Sequence, residues 1–72
     1  MFYYLYTISG KMIAYARAIS PEDALNIMGV SYTNVDQIYT RVSTYWVEPQ
    51  SGDGFWLYRS SSPMHRHYSE RN

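Results

Sequence analysis

Apolar side chains dominate both phases of the first strand-like run. In residues 2 to 8, FYYLYTI, an extended chain puts Phe2, Tyr4, Tyr6 and Ile8 on one side and Tyr3, Leu5 and Thr7 on the other. Neither side is plainly polar, which predicts an interior strand flanked by neighbours rather than an edge. Ser9 and Gly10 break the run as a tight turn, so Phe2 to Ile8 and Lys11 to Ala18 are expected to form a hairpin.

The period then changes. In AISPEDALNIMGV, Ser20 suits an N-cap, Pro21 the first helical position, and Glu22 and Asp23 the positive end of the helix dipole. Gly29 is placed to end the helix, with Ala24, Leu25 and Met28 on one side and Ile27 beside them. After SYTN, residues 36 to 47 again carry β-branched and aromatic side chains and read as one strand. The segment EPQSGDG reads as a loop, and FWLYR at 55 to 59 as a last strand. The expected fold is therefore a small β-β-α-β-β domain of the α+β class, with one helix on one face of a four-stranded, mainly antiparallel sheet. A right-handed crossover through the helix predicts the order 2-1-3-4, with the first strand inside and the third parallel to the second. Residues 1–59 are expected to form this domain, and residues 60–72 read as a polar C-terminal tail.

The alternation also assigns faces. Met12, Ala14, Ala16 and Ala18 are mostly small and suit the helix side, which leaves Ile13, Tyr15 and Arg17 opposite. On the third strand Ile38, Val42 and Trp46 suit the core, while Tyr39, Arg41, Ser43 and Tyr45 oppose them. If the last hairpin sets Trp46 near Leu57 and Tyr45 near Tyr58, then Phe55 and Leu57 join the core and Trp56 and Tyr58 the outer face. A register slip of one residue would exchange these assignments.

Composition narrows the function. Six basic and six acidic residues cancel, so no strong field draws the chain to duplex nucleic acid or to an anionic membrane. The apolar start falls short of the about 18 residues of a membrane span and has no basic residue before it. The absence of cysteine excludes disulfides and thiolate metal sites and fits a reducing, cytoplasmic interior. Nine tyrosines suit half-buried sheets and binding faces alike, because each joins a large ring to a directional hydroxyl.

Chemistry-bearing motifs are sparse. His65 and His67 lie in the tail and make an incomplete metal set; Glu22 and Asp23 are accounted for by the helix start. Gly52 and Gly54 lack the spacing of a phosphate or calcium loop, so no cofactor is expected. No acid-base pair is held on a rigid frame, which predicts a non-catalytic chain. Tyr15, Arg17, Tyr39, Arg41, Tyr45, Trp56 and Tyr58 then form an outer face of the residue types that dominate protein interfaces. The expected function is protein–protein interaction, with another protein or a copy of the chain itself as partner and homo-oligomers open. A phage-encoded accessory role, as inhibitor of a host factor or small assembly component, would suit such a module. The alternative is single-stranded nucleic-acid binding on the same face, with Arg17, Arg41 and Arg59 on phosphates; the neutral charge weighs against it.

Overall fold

A computed structural model describes residues 1–38 and 41–62, with the side chains of residues 41 and 42 excepted. The elements are β1 (Phe2–Thr7), β2 (Met12–Arg17), α1 (Pro21–Met28), β3 (Tyr32–Ile38), β4 (Arg41–Pro49) and β5 (Phe55–Ser60). They form a small α+β domain with a single five-stranded sheet of order β2-β1-β5-β4-β3, in which all neighbours are antiparallel.

The helix forms as its punctuation dictates. The Ser20 hydroxyl accepts the Asp23 N–H at 3.0 Å, and the Asp23 carboxylate accepts the Ile19 N–H at 3.2 Å, closing the N-terminal turn. At the other end Gly29 takes a φ of 77°, and its N–H donates to the Asn26 carbonyl while that of Val30 donates to Leu25. This paired closure satisfies two otherwise orphaned carbonyls and needs the left-handed backbone that glycine tolerates.

The expected four strands are five. Residues 36 to 47 are not one strand: β3 runs from Tyr32 to Ile38, starting ahead of the segment expected to be extended, and β4, which begins at Arg41, pairs with it antiparallel. The half-buried residues of β3, Tyr32, Val35 and Ile38, fall at three-residue spacing, and register shifts occur between Tyr32 and Asn34 and between Gln37 and Ile38. Such bulges break the two-residue period on which strand recognition depends. The added strand also corrects the order 2-1-3-4. From α1 the chain reaches the far edge as β3 and returns through β4 to β5, so no parallel pair arises. β1 is interior as expected, but its second neighbour is the last strand: Tyr3 faces Arg59, Tyr4 faces Tyr58 and Leu5 faces Leu57.

The helix covers one face of the sheet. Ala24 and Leu25 meet Tyr3, Leu5, Ala18, Tyr45, Val47 and Leu57 in the core, and Ala14, Met28, Val30 and Phe55 pack around it. The small residues on β2 let the helix approach, as the alternation predicts. Met12 departs from that series. A bulge between Leu5 and Tyr6 pairs Met12 with Tyr6 instead of leaving it in line with Ala14 and Ala16. Ile27, expected beside the core, is exposed.

One end of this core carries polar atoms. Burial raises the Tyr3 hydroxyl above the ordinary 10.0 of tyrosine, Tyr45 and Glu22 push the same way, and the Arg59 guanidinium beside it opposes them. A raised native value means that the stability from keeping Tyr3 neutral is whole below about pH 10.0 and is lost as pH rises toward the native value. We expect urea midpoints to fall on the alkaline side, from about pH 10 upward, more steeply for the native chain than for Tyr3→Phe. Equal slopes for the two chains would remove Tyr3 as the cause.

Candidate functional site: an aromatic sheet face

The face turned away from α1 is built from three cross-strand rows. One runs Arg17, Phe2, Ser60; the next runs Tyr15, Tyr4, Tyr58, Thr44; the third runs Met12, Tyr6, Trp56, Trp46, Asp36. Cross-strand neighbours are close enough for ring contacts. Tyr4 and Tyr15 stack with centroids 5.8 Å apart and planes at 27°. Trp46 and Trp56 meet edge to face at 4.8 Å and 66°, an arrangement that sets the positive ring edge on the negative ring face. The Arg17 guanidinium lies 5.9 Å from the centroid of Phe2.

Polar groups lie at the margins. The Trp46 indole N–H donates to a Glu48 carboxylate oxygen at 2.9 Å, and the Asn34 amide donates to Asp36 at 2.8 Å. The described charges of this face are therefore divided, with Arg17 on the β2 edge and Asp36 and Glu48 toward the β3 edge. Between them sit rings that water reaches: Tyr15 is 57 % exposed, Trp56 38 % and Tyr58 37 %, with Ile13 at 46 %.

The sequence-derived site residues divide accordingly. Tyr15, Arg17, Trp56 and Tyr58 share this face. Tyr45 does not. It is 7 % exposed in the core, with its ring 6.4 Å from that of Tyr3, because β4 and β5 pair Tyr45 with Leu57 rather than with Tyr58. The same register turns Trp46 outward against Trp56, correcting its assignment to the core. Arg59 also changes sides, since it pairs with Tyr3. Tyr39 and the side chain of Arg41 lie outside the described residues, as do His65 and His67.

Tyr4 and Tyr6 are the alternate tyrosines of the first strand that lie on this face, and Trp46, Asp36 and Glu48 belong to it although the alternation did not select them. For Trp46 a signal was present in Gly54. This residue is buried, and a Cβ built on it would overlap the Trp46 indole, so the loop glycine marks where the ring lies. Among the described residues no group of three or more His, Cys, Asp or Glu side chains converges to hold a metal ion, and no helix is long and apolar enough to cross a membrane. No family model, curated protein or solved structure matches the chain.

Proposed function

We propose that this protein is a non-catalytic interaction module that docks its aromatic sheet face onto another protein chain. The observation that carries the reading is the set of accessible side chains Tyr15, Trp56 and Tyr58 on the face opposite the helix. Tyrosine and tryptophan bury much area at small entropic cost while keeping a directional polar group, which is why they dominate the energetic centres of interfaces. Ring–ring contacts hold Tyr15 and Trp56 before any partner arrives, and preorganisation lowers the cost of binding.

The charges favour a protein over a single-stranded nucleic acid. With Arg59 on the helix side, Arg17 is the one described arginine of this face, and Asp36 and Glu48 share it. A phosphate backbone would meet two carboxylates there, whereas binders of single strands depend on a basic groove.

The test uses two substitutions outside the core beneath α1, on side chains that flank the buried Tyr4. Tyr15→Ser with Tyr58→Ser should lower folding stability by about 1 kcal/mol for each half-exposed site, below the cost of a core truncation. Partner binding, read as the change in Trp46 and Trp56 fluorescence, should weaken about ten-fold or more. A stability loss as large as that of a core truncation, or binding unchanged by the pair, would overturn the reading.

A further inference from the structure

We infer that the occupant of the aromatic face is a second copy of this chain, packed sheet on sheet about a two-fold axis. The inference rests on the docking reading above and names its partner. Two observations lead to it.

The first is the placement of charge. Arg17 shares a row with Phe2 and Ser60, while Asp36 shares one with Tyr6 and Trp56, and the two residues lie on opposite edge strands. They therefore stand at diagonal corners of the face, with Glu48 beyond Asp36 on the acidic side. A two-fold axis lying between two such faces and inclined to the strands sets the Arg17 corner of one copy on the Asp36 and Glu48 corner of the other. The same contact repeats on the far side, as a two-fold interface requires. A face with one sign of charge would repel its copy; this one is complementary to itself. The chain as a whole carries no net charge, so no long-range repulsion opposes the approach of two copies.

The second is size. Five strands about 4.8 Å apart, each about six residues long at roughly 3.3 Å per residue, make a face of roughly 20 by 20 Å. With side-chain relief counted, this is of the same order as the about 800 Å² that each partner contributes to a specific interface. The exposed rings Tyr15, Trp56 and Tyr58 fill only part of that area, so burying enough surface takes the whole face, including its charged corners. Sheet-on-sheet packing also provides the second layer that α1 provides on the other side.

The geometry predicts a pattern of charge reversal that a merely sticky surface would not show. Arg17→Glu sets carboxylate against carboxylate at both corners, and Asp36→Arg sets guanidinium against guanidinium. In a mixture of the two variants the mixed dimer regains an opposite-charge pair at each corner. At one corner the introduced carboxylate meets the introduced guanidinium; at the other the native Arg17 meets the native Asp36. Sedimentation equilibrium of the full chain should show a dimer, with each variant alone dissociating about ten-fold or more readily and the mixture recovering to within a few-fold. Circular dichroism of each variant separates lost pairing from lost folding, since Arg17 also packs on Phe2 and Asp36 also accepts the Asn34 amide. A native chain that stays monomeric up to about millimolar concentration overturns the second copy as occupant; the docking reading then still stands or falls on the Tyr15 and Tyr58 pair. A dimer indifferent to both reversals, or a mixture that does not recover, overturns the face-to-face arrangement.

Discussion

Leu25→Ala is expected to lower folding stability by about 2 to 5 kcal/mol, read from the urea midpoint at unchanged slope. Leu25 has no exposed surface, and with Ala24 it makes up the fully buried contribution of α1 to the core. An eight-residue helix is far below the roughly 12 to 15 residues that stand alone in water, so its persistence depends on this attachment. The deleted carbons leave a cavity under Tyr3, Leu5 and Leu57, members of the same core, which lie on paired strands and cannot close on the space without bending the sheet. A chain of 72 residues has roughly 4 to 11 kcal/mol in total, so the variant stands near the edge of folding. Ile27→Ala on the same helix removes an exposed side chain and should cost no more than about 0.5 kcal/mol. Comparable losses from the two would mean that the helix does not sit on the sheet as described.

Gly54→Ala is expected to cost about 1 to 3 kcal/mol, although it adds a single methyl group. The added carbon meets the six-membered ring of Trp46. That ring has little room to retreat, because Trp56 abuts it and Glu48 holds its N–H. Near-ultraviolet circular dichroism, which reports the packing of the two indoles, should change with the substitution. The decisive comparison is made in a Trp46→Ala background, where alanine at 54 should cost much less because the opposing ring is gone. Equal costs in both backgrounds would show that the glycine is required for some reason other than Trp46.

The legible parts of this fold share one property: their signals are local. Ser20, Pro21, Asp23 and Gly29 lie within ten residues of one another and each satisfies a backbone need of the helix ends, so α1 follows from the sequence directly. Ser9 and Gly10 mark the first turn in the same way, with Gly10 at a φ of 93° and its N–H bonded to the Thr7 carbonyl. The alternation of β2 likewise put Tyr15 and Arg17 on the outer face; Trp56 and Tyr58 lie there too, but the pairing expected to set them there, Tyr45 with Tyr58, is not the one that forms. What was not legible depends on register between separated strands. Tyr45 and Trp46 are adjacent, both aromatic and both at home in a sheet, so their composition does not say which points inward. The β5 partner decides it, through a connection from Gln50 to Gly54 whose length alone does not set the pairing. β3 was missed for a related reason, since two bulges hide a strand whose sequence, YTNVDQI, lacks the apolar alternation of its neighbours.

The pairing of β1 with β5 has a consequence for how the molecule is made. Phe2 lies opposite Ser60, so the first strand of the sheet is zipped to its last, and that seam joins the β1–β2 hairpin to the β3–β4–β5 meander. Each hairpin can form within microseconds of its own synthesis, but two-stranded ribbons are marginal by themselves. The sheet becomes one cooperative body only when residues 55 to 60 have cleared the ribosome. Folding therefore waits until every strand has been made, and it ends in a long-range closure of the kind that slows folding.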